Sequence, residues 1–86
     1  MTNAVQHFPE TRTFILSVDR EQAGHLNYEI SDGIWNITHT VVDPAFRGQG
    51  LAKVLVEAAI EEAKKHQVGL TASCDYAAAV LAKRKA

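Results

Sequence analysis

The chain pivots on Val41-Val42-Asp43-Pro44-Ala45-Phe46-Arg47-Gly48-Gln49-Gly50-Leu51-Ala52. It reads as the end of a strand, a short glycine-bearing turn and the start of the longest helix. Gly48 and Gly50 stand i, i+2, where a β-to-α turn points backbone N–H groups outward at the positive end of a helix. Spacing alone leaves two readings open. One is a phosphate or pyrophosphate cradle built from the N–H groups of residues 48–52. The other is a plain turn with convenient glycines. It is not a Walker loop, because no Gly-Lys-Ser/Thr follows. Nor is it a dinucleotide fingerprint, because the acidic residue and surrounding parallel sheet are missing.

Outward towards the N-terminus, the pattern has period two. Thr11 to Val18 alternates, with Phe14, Leu16 and Val18 on one face. Asp19–Gln22 is polar and turn-like. Gly24 to Ile30 alternates again, with Leu26, Tyr28 and Ile30 together. Asp32-Gly33 follows, a strong hairpin signal between alternating runs. Ile34 to Val42 is the third expected strand, with Trp35, Ile37, His39 and Val41 on one face. Residues 1–10 carry little pattern and read as a loose lead-in with Pro9.

Outward towards the C-terminus, Leu51, Val54, Leu55, Ala58 and Ala59 fall at helical spacing, which predicts a helix from Gly48 to about His66. Val68 to Ala72 reads as a fourth strand. The alanine-rich run from Ser73 to about Arg84 reads as a second helix. The expectation is one α+β domain over residues 1–86 with the order βββαβα. It has an antiparallel meander of three strands, a fourth strand parallel to the third, and two helices. A strand–helix–strand unit places a ligand cleft at the carboxyl ends of its strands.

Composition narrows the function. The 86 residues are 47% hydrophobic with a formal net charge of −1, so no basic field draws nucleic acid or anionic membrane. No apolar run reaches a membrane span. Cys74 is the only cysteine, which excludes an intrachain disulfide and points to a reducing cytoplasm. One cysteine and four scattered histidines show no metal-ligand spacing. His39, near the end of the third strand, is a candidate base, since histidine's ordinary pKa near ~6.5 suits it to deprotonate an ammonium group. A core-edge imidazole with one hydrogen bond is the alternative. Thr38 and Thr40 offer hydroxyls to a substrate, although threonine is also a good strand residue.

Arg47-Gly48-Gln49-Gly50-Leu51-Ala52, after a strand and Val42-Asp43-Pro44, resembles the acetyl-CoA-binding signature of the GNAT superfamily of N-acetyltransferases. Thr38-His39-Thr40-Val41-Val42-Asp43-Pro44 and Cys74-Asp75-Tyr76 resemble its small single-domain branch. The likeness covers roughly residues 11–82. It implies acetyl-CoA as co-substrate, with its pyrophosphate on the backbone of Arg47, Gly48, Gln49, Gly50, Leu51 and Ala52. The pantetheine arm then lies between the third and fourth strands, and N–H groups near Val41 and Val42 hold the oxyanion. Cys74 becomes a nucleophile or a thioester neighbour, favoured as thiolate by a helix N-terminus and opposed by Asp75. The alternative for Cys74 is a buried structural thiol. The resemblance implies that Tyr76 meets the CoA sulfur; packing is its other reading.

The implied function is acetyl transfer from acetyl-CoA to an amine, on a small molecule or a protein. The alternative is an acyl-CoA-binding or protein-interaction module without catalysis. The chain departs from larger family members between its first two expected strands. Only about Asp19–Ala23 join them, which leaves no room for the helices that shape an acceptor pocket. A homodimer or a macromolecular substrate would supply that wall.

Overall fold

The computed structural model describes residues 3–46, 48, 50–73, 77–80 and 82. One mixed sheet holds five strands in the order β1-β2-β3-β4-β5. These are β1 (Asn3–Phe8), β2 (Thr13–Val18), β3 (Glu21–Ser31), β4 (Ile34–Val42) and β5 (Gly69–Ala72). Neighbours from β1 to β4 pair antiparallel, and β5 runs parallel to β4. Helix α1 (Leu51–Lys65) covers one face. Residues 77–80 and 82 are helical, and Ala77 and Val80 belong to the same core. The rest of the second expected helix lies outside the described residues.

Local chemistry explains the connections. Both Asp19 and Arg20 have positive φ, at 49° and 73°, and so do Asp32 and Gly33, at 52° and 74°. Two successive left-handed residues twist a turn to match the right-handed twist of its strands. The Asp32-Gly33 hairpin is therefore where the sequence placed it. The Asp19-Arg20 turn is tighter than the four polar residues suggested, and β3 begins at Glu21.

The lead-in is corrected. Residues 3–8 are not loose but form β1 along β2, so the antiparallel part has four strands instead of three. His7 hid the alternation, because β1 turns an imidazole inward where an apolar residue would have shown the pattern. Its ring stacks on Phe14, with centroids 4.2 Å apart, and its Nε2 lies 2.6 Å from the Tyr28 hydroxyl. Nδ1 faces the Glu62 carboxylate of α1 at 3.6 Å. Burial pushes the His7 pKa below its ordinary value, outweighing the attraction of Glu62. A neutral ring can therefore accept from Tyr28 while its other nitrogen faces the carboxylate.

The core forms where α1 meets β2, β3 and β4. Phe14, Leu16, Val18, Leu26 and Ile37 are essentially without solvent contact, as are Leu55, Val56 and Ala59 of the helix. Ala59 and Ala63 are small enough to let α1 lie close on the sheet.

Two irregularities shape β3 and β4. Asn27 pairs with His39, but the next residue, Tyr28, pairs with Ile37. Thr38 is therefore an extra residue, a bulge that reverses side-chain parity along β4. Trp35 and Ile37 point into the core, whereas His39 and Val41 point to the opposite face. This corrects the expectation that all four share a face. Beyond the bulge, Thr40 and Val42 take the inward positions, opposite Leu26 and Gly24. A second shift leaves Ala23 of β3 as an extra residue opposite β2.

Candidate functional site

The β4-to-α1 connection is fixed by short-range bonds. The Asp43 N–H donates to the Ala23 carbonyl at 2.7 Å, which ties the end of β4 to β3. The Asp43 side chain accepts the Ala45 N–H at 2.9 Å, and its carbonyl accepts the Phe46 N–H at 2.9 Å. Pro44–Phe46 accordingly closes as a single tight 3-10 turn. Gly48 and Gly50 then adopt φ of 85° and 71°. Side chains with a Cβ are strained there, so the two glycines are needed for conformation.

Gly50 is the N-cap of α1 and offers no side-chain cap. The N–H groups of Leu51, Ala52 and Lys53 precede the first intrahelical bond, Val54 N–H to Gly50 carbonyl at 3.4 Å. The first turn carries no acidic residue. A helix start of this kind attracts an anion through aligned dipoles and unpaired donors. In front of it lies a cavity of about 450 Å³ lined by Thr40, Val41, Val42, Phe46, Gly48, Gly50, Leu51 and Ala52. A Cβ built on either glycine meets nothing within 4 Å among the described residues. The backbone is thus open to a ligand. The Thr40 Oγ1 is buried and lacks a partner among the described residues, an arrangement that a polar ligand would repair.

The sheet opens beside this cavity. Pairing of β4 with β5 runs from Ile34–Gly69 to Ile37–Ala72, and the Ser73 N–H donates to the Ile37 carbonyl at 2.9 Å. From Thr38 to Val42, β4 keeps β3 on one edge and has no strand on the other among the described residues. The parting coincides with the Thr38 bulge. Peptide direction follows from two contacts. The Asp43 N–H points to β3, and the Val41 carbonyl points at Gly24 of β3. Alternation therefore turns the Thr40 and Val42 peptides to the edge of β4 away from β3. Of the two residues expected near the oxyanion, Val42 faces this edge and Val41 faces β3.

His39 is exposed on the far side of the same edge. Its Nδ1 lies 3.1 Å from the Thr38 hydroxyl, which in turn reaches the Asn27 carbonyl at 3.3 Å. Thr40 and His39 thus flank the edge from opposite faces, one lining the cavity and one exposed. Ser73 Oγ accepts a bond from Asn36 Nδ2 at 2.8 Å across β4 and β5.

Of the sequence-derived site residues, Val41, Val42, Gly48, Gly50, Leu51 and Ala52 come together around the cavity. Arg47, Gln49, Cys74 and Tyr76 lie outside the described residues. Phe46 lines the cavity without having been singled out. Its only signal was a large apolar residue within a turn. Among the described residues, no three His, Cys, Asp or Glu side chains form a group able to hold a metal ion. No described helix is long and apolar enough to cross a membrane.

Residues 13–86 match the model of the GCN5-related N-acetyltransferase family, and the chain belongs to that family. No curated protein matches it. Among solved structures, a GCN5-like N-acetyltransferase candidate from Staphylococcus aureus is similar with a TM-score of 0.72 and 26% identity, over 94% of this chain and 79% of that one. The ribosomal-protein-S18-alanine N-acetyltransferase of Escherichia coli is similar with a TM-score of 0.70 and 25% identity, over 83% of this chain and 49% of that one. N-acetylglutamate synthase of Neisseria gonorrhoeae, solved with coenzyme A and N-acetyl-glutamate, shares the fold at a TM-score of 0.64 and 20% identity, over 71% of this chain and 15% of that one. The chain spans half or less of the length of the larger acetyltransferases it matches, 50% of a ribosomal-protein-alanine N-acetyltransferase from Brucella melitensis biovar Abortus.

Proposed function

We propose that this chain transfers an acetyl group from acetyl-CoA to an amine. One observation carries the reading. A glycine-built helix N-terminus and the stretch of β4 beyond its pairing with β5 share one cavity, and a buried Thr40 hydroxyl with no partner among the described residues lies in its wall. Pyrophosphate suits the N–H groups from Gly48 to Ala52, with Arg47 and Gln49 as further contacts. The amide-bearing pantetheine arm suits the edge of β4, where it extends the sheet as a strand would.

In the reaction, His39 Nε2 takes a proton from the acceptor ammonium. The freed amine attacks the thioester carbonyl. The Thr40 peptide N–H, on the edge of β4 turned away from β3, faces the developing oxyanion. As the tetrahedral species collapses, the C–N bond is kept and the C–S bond breaks. The nitrogen's surplus proton is lost as the C–S bond breaks and reaches the CoA thiolate through Tyr76 or water, which leaves a neutral amide and free CoA. A covalent route through Cys74 would first move the acetyl group to sulfur and then to the amine.

The acceptor is an amine on a small molecule or a protein, because the two-residue turn between β2 and β3 builds no wall around a deep pocket. A homodimer would add such a wall. The single cysteine accords with a reducing, cytoplasmic setting.

The test is CoA release from acetyl-CoA over a panel of amines and peptides, alongside intact-mass measurement with acetyl-CoA alone. Amine-dependent CoA release is expected, without a protein adduct of about 42 Da, the mass of one acetyl group in covalent catalysis. Saturable acetyl-CoA binding with no turnover on any amine would contradict the enzymatic reading. A stable adduct on Cys74 would replace direct attack with the covalent route.

A further inference from the structure

We propose that Thr38, the bulge residue of β4, is a positioning residue that fixes the tautomer of His39 and leaves its Nε2 lone pair free to accept a proton. This rests on the reading of His39 as the base and adds how the fold prepares it. Thr38 is the residue that the β3–β4 register skips, between the Asn27–His39 and Tyr28–Ile37 pairs. Its Oγ1 is within reach of two groups, the Asn27 carbonyl at 3.3 Å and His39 Nδ1 at 3.1 Å.

A hydroxyl has one proton and two lone pairs, and a carbonyl oxygen only accepts. The Thr38 proton therefore goes to Asn27. The hydroxyl oxygen is left facing His39 Nδ1 as an acceptor, so Nδ1 carries the hydrogen. A neutral imidazole protonated at Nδ1 bears its lone pair on Nε2. Asn27 is held in turn, because its side-chain amide donates to Thr13 Oγ1 at 3.0 Å and Thr13 donates to the Thr11 carbonyl at 2.9 Å. Nε2 has no protein partner among the described residues, and the ring is exposed beside the place where β4 and β5 part.

Long-range ¹H–¹⁵N correlation spectra of the whole chain separate the two imidazole tautomers. They need no variant to make the first decision. Wild-type His39 is expected as the Nδ1–H form. Thr38→Val is expected to shift it towards the Nε2–H form. It should also lower kcat by ~10-fold, part of what a positioned base contributes, while the KM for acetyl-CoA holds. Thr38→Ser should restore both tautomer and rate. A wild-type His39 in the Nε2–H form, or a tautomer unchanged in Thr38→Val, overturns the proposal. His39→Gln is the separate control for the underlying reading. Full turnover in that variant overturns the base and the proposal with it. Loss of turnover together with an Nε2–H wild type overturns the proposal alone.

Discussion

Gly50→Glu is expected to fold and to lose acetyl-CoA-dependent stabilisation. Two opposing terms act on the fold. The left-handed φ of 71° costs a residue with a Cβ about 1–2 kcal/mol. A carboxylate at the start of a 15-residue helix recovers about 0.3–1 kcal/mol through the helix dipole. The net loss is about 1 kcal/mol, small beside the roughly 5–15 kcal/mol of an ordinary domain. On binding the terms act together. The new carboxylate starts from a Cβ position with nothing within 4 Å among the described residues, in a residue that lines the cavity. It occupies the space meant for an anion and repels it. Ligand at a hundredfold excess over Kd stabilises by about 2.7 kcal/mol, which raises the Tm of a domain this size on the order of 10–20 °C. Thermal shift with acetyl-CoA should show that rise in wild type and none in Gly50→Glu. Gly50→Ala, with strain and no charge, should keep part of it. An undiminished shift in Gly50→Glu would place the ligand elsewhere.

Gly24→Ala is expected to destabilise the protein by about 1–3 kcal/mol, or on the order of 4–20 °C in Tm. Strand propensity alone predicts the opposite, because glycine is among the poorest strand formers. Contact decides. A Cβ on Gly24 stands 2.5 Å from the Val41 carbonyl oxygen and 3.3 Å from the Val42 Cα, both backbone atoms. A flexible side chain could swing aside, but here β4 itself must move. Because Val41 and Val42 line the cavity, that movement should also weaken acetyl-CoA binding. A melting temperature equal to or above wild type would show that β3 and β4 are further apart than described.

The parts of the fold legible in the sequence were those where one physical requirement acts alone. Alternation marked Phe14, Leu16 and Val18 because that face of β2 meets nothing but core. Asp32-Gly33 marked its hairpin because two positive φ values demand such residues. The cradle was legible for the same reason, since Gly48 and Gly50 are set by backbone conformation.

Where two requirements compete, the pattern misleads. Inward-facing His7 is half-buried, held by aromatic stacking and by Tyr28 and Glu62, so β1 looked patternless. Thr38 is as good in a regular strand as in a bulge, and nothing in its chemistry announced the parity change. That single extra residue sends His39 and Val41 to the opposite face and turns Thr40 inward. The anion end of the site was therefore readable from residue types, whereas the side chains around the reacting centre depended on a register that only the paired strands reveal.

The most direct test of the acyl-CoA site is a titration of ¹⁵N-labelled protein with acetyl-CoA, following the backbone amides. The largest shifts are predicted at Gly48, Gly50, Leu51 and Ala52, continuing along the β4 edge at Thr40 and Val42, with the amides of Ala4 and Gln6 on β1, the far edge of the sheet, unchanged. Shifts concentrated on β1, or none along Gly48–Ala52 at saturating acetyl-CoA, would contradict it.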